Sequence, residues 1–181
     1  MQKILIVVDM QKDFIDGSLG TKEASAIVTP VAKRIEQSQN ELILFTQDTH
    51  TENYLQTPEG KKLPVTHCIK NTPGWEIDPT IKQAWLDHKN TIKIDTLQEN
   101  TFQKPVFGSV DLIQFLQNIQ ISEIEMLGVC TDICVISNAI MIKNTLPNIP
   151  IKVTKNLCAG TTPENHNQAL NIMQLCQIDI V

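Results

Sequence analysis

Apolar residues follow two alternating rhythms along the chain. Continuous apolar runs at 3–8, 41–46, 91–94, 123–129 and 151–154, with a further one at 178–181, predict strands buried on both faces. Between them, apolar positions recur at helical spacing over 24–39 with Pro30 inside, and over 79–88, 109–118, 133–143 and 163–176. The last of these opens T-T-P-E, which supplies Thr162 as cap, Pro163 in the first helical position and Glu164 in the first turn. Strands alternating with helices predict an α/β domain: a six-stranded, mainly parallel sheet in a three-layer αβα arrangement with Rossmann-like topology. No repeat, linker or low-complexity tract interrupts the pattern, and 181 residues suffice for one full core, so 1–181 reads as a single domain.

In such a sheet, reactive groups gather beyond the carboxyl ends of the strands, near the switch in strand order. Asp9 closes the run I-L-I-V-V and so stands at that edge, unless it is simply a solvated loop carboxylate. The loop after it lacks the glycine patterns that cradle phosphates, which disfavours nucleotide binding. The second strand ends in T-Q-D-T-H, and a spacing of two lets Asp48 and His50 point to one side of extended backbone. Glu59 and His67 follow in a stretch with no evident secondary-structure pattern; four carboxylate and imidazole groups in one long loop suit a divalent metal. His88 and His166 fall in helical patterns and receive no metal role.

Cys134 lies where the fourth long strand hands over to a helix. Thr131 or Asp132 is placed to cap that helix, which would put Cys134 in its first turn, where the dipole eases loss of the thiol proton. Lys104, flanked by Phe102, Pro105 and Phe107 in the loop after the third strand, has neighbours that favour burial; near Cys134 and Asp9 its ammonium would stabilise a thiolate. The bland alternatives are a small buried cysteine and a snorkelling surface lysine.

A formal net charge of −5 without clustered basic residues leaves no footprint for nucleic acid or an anionic membrane, so small-molecule chemistry is expected. The amino terminus has too short an apolar run for a signal peptide or a span, which predicts a cytoplasmic protein. Five scattered cysteines suit reduced thiols rather than a disulfide framework.

Taken together, D-M-Q-K-D-F at 9–14, D-T-H at 48–50, P-V-T-H-C-I-K-N-T-P-G at 64–74, K-P-V-F-G-S at 104–109, G-V-C-T-D-I-C-V at 128–135 and P-E-N-H at 163–166 resemble the isochorismatase-like cysteine hydrolases, and within them the nicotinamidase and pyrazinamidase branch. The resemblance implies a catalytic triad of Asp9, Lys104 and Cys134, a cis peptide between residues 129 and 130, and an oxyanion hole built from the backbone N–H groups of Cys130 and Cys134. It further implies a metal on Asp48, His50 and His67, with Glu59 as fourth ligand in place of the histidine that many relatives carry at the position of Asn53 to Leu55. Zinc leads, with iron or manganese as alternatives. Phe14 and Trp75 are the candidate walls for a pyridine ring. The implied reaction is hydrolysis of nicotinamide to nicotinate and ammonia through a thioester; rival readings are another amide, ureide or vinyl ether substrate on the same triad, or a non-catalytic binding protein. Relatives of this kind often form homo-oligomers.

Overall fold

The computed structural model describes residues 1–92, 97 and 99–181. Its centre is a six-stranded sheet in the order β3-β2-β1-β4-β5-β6, every neighbouring pair parallel. The strands are β1 (Gln2–Val8), β2 (Glu41–Asp48), β3 (Thr101–Lys104), β4 (Ile121–Val129), β5 (Ile151–Ala159) and β6 (Asp179–Ile180). Residues 4–8 of β1 and 124–129 of β4 are buried, as the unbroken apolar runs require of central strands covered on both faces. Chain order runs outward from β1 to β3, then returns to β4 and runs outward again to β6, so the switch in direction lies between β1 and β4. Gly128 lets those two strands close tightly: its φ is +117°, and a Cβ there would fall 2.1 Å from the Val8 carbonyl oxygen.

The helices are α1 (Lys12–Ile15), α2 (Lys22–Glu36), α3 (Pro58–Lys62), α4 (Pro79–Ile92), α5 (Val110–Gln117), α6 (Ile136–Thr145) and α7 (Pro163–Leu175). α2 packs on α4, while α6 packs on both α5 and α7. Right-handed crossovers explain the grouping, because chains moving in opposite directions across a sheet place their helices on opposite faces. Side-chain caps start most of these helices: Thr21 accepts from the Ala24 N–H, Ser109 from Leu112 and Thr162 from Asn165.

Three expectations change. The strand expected at 91–94 begins inside α4, which runs on to Ile92, and 93–94 lie outside the described residues. The strand beside β2 is instead Thr101–Lys104, a short edge strand of mixed polarity whose side chains are mostly half-buried. β5 also extends well beyond its expected end at 154. Its register slips against β4, with Met126 facing Val153 and Gly128 facing Cys158, so polar residues of a bulged stretch interrupt the apolar run before Ala159 rejoins at Val129. The stretch 48–67 is less irregular than expected. A single 3-10 turn at Tyr54–Gln56 leads into α3, whose cap Thr57 accepts from the Gly60 N–H.

Candidate active site

Five adjacent strands each deliver part of one site at their carboxyl ends. Asp9 follows β1 directly and adopts φ +47°, a left-handed turn that aspartate tolerates better than most residues. Its carboxylate is fully buried; Oδ1 accepts a hydrogen bond from Thr46 Oγ1 at 2.6 Å, and Oδ2 lies 2.7 Å from Lys104 Nζ. Lys104 is the last residue of β3 and is 1% exposed, so it is not a snorkelling lysine. Its ammonium donates to Cys134 Sγ at 3.4 Å and sits 3.5 Å from Asp48 Oδ1. Asp9, Lys104 and Cys134 are therefore in mutual reach.

The electrostatics of this group differ from the sequence reading. Burial pushes the Cys134 thiol well up, the Asp9 charge pushes it further, and Lys104 opposes both without cancelling them. Burial also raises Asp9, against the pull of Lys104. For Lys104 burial acts the other way, lowering it, but the neighbouring Asp9, Cys134 and Asp48 more than reverse that and hold it charged. Lys104 is thus held as an ammonium beside a thiol that burial keeps protonated. The expected dipole effect does not prevail, because removal from water outweighs the field of one helical turn.

Nor do Thr131 and Asp132 cap the helix. Residues Thr131–Val135 form a wide π-type turn after Cys130, without a side-chain cap hydrogen bond, and α6 continues from it. Thr131 Oγ1 bonds instead to His166 Nδ1, and the Asp132 carboxylate accepts from Thr161. The peptide between Val129 and Cys130 is cis.

Beside the triad, Asp48, His50 and His67 form a buried cluster whose ligand atoms all lie within 4.8 Å of one another. Asp48 Oδ2 stands 2.9 Å from His50 Nε2 and 3.5 Å from His67 Nε2. The His67 Nδ1 stands 2.8 Å from the Val65 carbonyl, which can only accept, so Nδ1 carries the proton and Nε2 presents a lone pair to the cluster. His50 Nε2 is buried and, despite its short approach to Asp48, makes no hydrogen bond among the described residues. An orphaned imidazole nitrogen, a lone pair aimed inward and a carboxylate fit a divalent metal. Glu59, in the first turn of α3, comes within 3.8 Å of His50 Nε2 and remains partly exposed, at the rim of the cluster. The Tyr54 ring packs against both imidazoles, at centroid distances of 4.5 and 4.8 Å.

A cavity of about 290 Å³ opens onto these groups. Asp48, Glu59, His67, Cys130 and Cys134 line its polar end, and Phe14, Leu19, Leu63, Phe107 and Ile133 form apolar walls. Phe14 tilts against the His67 ring at 5.6 Å. Trp75 does not reach this cavity. Its indole N–H is tied to Thr49 Oγ1 at 2.9 Å and its carbonyl accepts from Gln11 and Gln47, which turns the ring toward a separate hollow bounded by Gln47 and Gln103.

Several residues that sequence reasoning passed over hold the site. Gln11 exchanges side-chain bonds with both the N–H and the carbonyl of Asp48, at 2.7 and 2.9 Å. Asp13 Oδ2 accepts from the Cys68 N–H at 2.7 Å and so fixes the backbone next to His67. Asn138 is fully buried and bridges the Phe107 and Cys134 carbonyls and the Ser109 N–H, joining the lysine loop to the cysteine turn. Its only sequence signal is a polar residue one helical turn after Cys134.

The parallel α/β sheet thus gathers a buried carboxylate, lysine and cysteine beyond its carboxyl ends, next to a cluster of side chains able to hold a metal ion. The chain belongs to the isochorismatase domain family, whose model matches residues 3–181. Among solved structures, the pyrazinamidase/nicotinamidase of Streptococcus mutans superposes with a TM-score of 0.82 at 29% identity, over 99% of this chain and 100% of that one. The pyrazinamidase of Pyrococcus horikoshii in complex with zinc superposes at 0.78 with 25% identity, over 100% and 99%. The nicotinamidase/pyrazinamidase of Mycobacterium tuberculosis is 24% identical across 99% of this chain and 98% of its own length. Among the described residues no helix is long and apolar enough to cross a membrane.

Proposed function

We propose that this protein hydrolyses the carboxamide of nicotinamide to nicotinate and ammonia, with Asp9, Lys104 and Cys134 as its catalytic residues. The observation that carries the reading is the Lys104 ammonium held between the Asp9 carboxylate at 2.7 Å and Cys134 Sγ at 3.4 Å, with Cys134 itself on the wall of a cavity sized for one small ring. Asp9 takes the proton from Cys134 Sγ. The exchange moves one negative charge from oxygen to sulfur while Lys104 stays beside it, so the buried group keeps its net charge. Burial raises Asp9, which makes it a stronger base than an ordinary carboxylate and narrows its mismatch with the thiol.

The thiolate then adds to the amide carbon, and the backbone N–H groups of Cys130 and Cys134 would stabilise the negative charge that develops on the amide oxygen. The C–N bond breaks as Asp9 returns the proton to the departing nitrogen, which leaves as ammonia. Water, losing a proton to Asp9, adds to the thioester carbon; the C–S bond breaks and Cys134 recovers its proton. Asp48, His50 and His67 would hold a divalent metal, with Glu59 reaching it from the rim, and zinc suits the nitrogen and oxygen donor set. Such a metal supplies a Lewis acid for the ring nitrogen, orienting the substrate rather than activating the thiol. Phe14 walls the ring beside His67.

The test is ammonia release from nicotinamide by metal-loaded protein, run beside Cys134→Ala and a chelator-treated sample. Release that is abolished in the variant and reduced by the chelator is expected. Release that persists in Cys134→Ala would refute the nucleophile.

A further inference from the structure

The turn that carries Cys134 has no cap of its own, and the two polar side chains that could have supplied one reach across to the segment after β5. The Asp132 carboxylate accepts from both the N–H and the hydroxyl of Thr161, the former at 2.8 Å. Thr131, fully buried, meets His166 Nδ1 at 2.7 Å through its hydroxyl. Asn165 Nδ2 donates to Thr161 Oγ1 at 2.9 Å, so the Thr161 hydroxyl is held from both sides. Gly160 makes room for this approach: a Cβ there would stand 2.7 Å from Asp132 Oδ1 and 2.9 Å from the His166 Cα. Thr161 itself lines the cavity next to Ile133 and Cys134.

We propose that Asp132 is a positioning residue for the reaction, and that its clasp on Thr161, backed by the Thr131–His166 bond, fixes the Cys134 turn against the cavity wall. A helical turn normally satisfies its first N–H groups locally, through its own side chains. Here those side chains are spent on the end of the neighbouring strand, which ties the nucleophile's turn to an adjacent part of the cavity lining. Loosening the clasp lets the turn drift relative to Asp9 and Lys104, which sit on other strands and do not follow. The inference rests on Cys134 being the nucleophile but not on which amide is cleaved.

The test combines steady-state kinetics with the rate at which iodoacetamide alkylates Cys134, read peptide by peptide in a mass spectrometer. A misplacement of ångström scale predicts that Asp132→Ala lowers kcat by about tenfold or more. Thr161→Val is expected to do the same more weakly, and Thr161→Ser, which keeps the hydroxyl, to restore the wild-type rate. KM should stay within about threefold, because the clasp acts on alignment rather than on uniform binding. The double variant Asp132→Ala/Thr161→Val should be no slower than Asp132→Ala alone, as for two partners in one interaction. Alkylation of Cys134 should slow in Asp132→Ala, since the thiol loses its alignment with Asp9 and Lys104. Wild-type kcat in Asp132→Ala would overturn the proposal, as would faster alkylation of Cys134, the mark of a turn that has merely become exposed. Absence of ammonia release from the wild type would refute the nicotinamide reading alone, and the alkylation rates would still decide the clasp.

Discussion

Replacing Lys104 by methionine tests the electrostatic account of the site most directly. The side chain is 1% exposed and touches Asp9, Cys134 and Asp48, so methionine keeps most of its volume and removes only the charge. Asp9 then becomes a fully buried carboxylate that keeps the Thr46 hydroxyl as support but has lost its cation. Breaking a buried ion pair by deleting one partner costs roughly 3–5 kcal/mol, because the remaining charge is uncompensated. The protein can escape that cost by protonating Asp9, and this gives the effect a pH signature. Without Lys104 the folded-state pKa of Asp9 rises further above its unfolded value. A raised carboxylate favours the folded state at low pH and loses that contribution as pH climbs from the unfolded toward the folded pKa, by about 1.4 kcal/mol per unit. Moving from pH 7 to pH 5 should therefore return up to roughly 3 kcal/mol of the lost stability. Urea unfolding of metal-loaded wild type and Lys104→Met, followed by far-UV circular dichroism at pH 5, 6, 7 and 8, measures the difference. A stability loss equal at pH 5 and pH 7, or below about 1 kcal/mol throughout, would refute the reasoning. Activity should fall to background at every pH: at low pH a protonated Asp9 cannot accept the thiol proton, and at high pH no ammonium remains to stabilise the thiolate.

Three further outcomes are expected. Thr46→Val removes the 2.6 Å bond to Asp9, one of the influences that hold its pKa down, so the acid limb of the kcat/KM profile should move to higher pH. His50→Ala should abolish stoichiometric metal binding measured by elemental analysis, whereas Glu59→Gln, at the partly exposed rim, should weaken it and raise KM with a smaller effect on kcat. On the opposite end of the sheet, Arg34 bonds both Glu41 and Glu125, and Lys152 joins Glu123 and Glu125. Burial alone would raise Glu125, but Arg34, Thr154 and Lys152 hold it below its usual value. Its contribution to stability is thus present above the ordinary glutamate pKa and lost as pH falls through the lowered one. The melting temperature of wild type should drop between pH 5 and pH 3 more steeply than that of Glu125→Gln, and parallel curves would contradict this account.

The parts of the site that could be read from the chain are those where an abrupt change of residue type marks a strand end. Asp9 after I-L-I-V-V, Asp48 and His50 after L-I-L-F-T, and Cys134 after L-G-V all stand where the apolar run stops, and the structure gathers them at one edge. What escaped was local chemistry that competes with a stronger pattern. T-P-E-G at 57–60 carries the same start signal as T-T-P-E at 161–164 and forms α3, yet the metal ligands around it drew attention to a loop. T-I-K-I at 91–94 looks more like a strand than T-F-Q-K at 101–104, but the edge position beside β2 tolerates mixed polarity and takes the latter. Gln11, Thr46 and Asn138 are neutral, and their roles arise from groups far away in sequence. The thiol of Cys134 was misjudged for a related reason: burial is a property of the folded molecule, and here it outweighs the local turn.

The placement of Lys104 carries one more consequence. It occupies the final position of β3, which among the described residues is the outermost strand on its side, joined to the sheet through the pairs from Phe45–Thr101 to Asp48–Lys104. Peripheral strands of this length open by local fluctuations well below the free energy of global unfolding. Fraying of that one margin would withdraw the ammonium while the remaining strands stay paired. Catalysis should consequently vanish at urea concentrations where circular dichroism still reports an intact fold, and a saturating ligand that bridges Asp48 to its neighbours should bring the two transitions together.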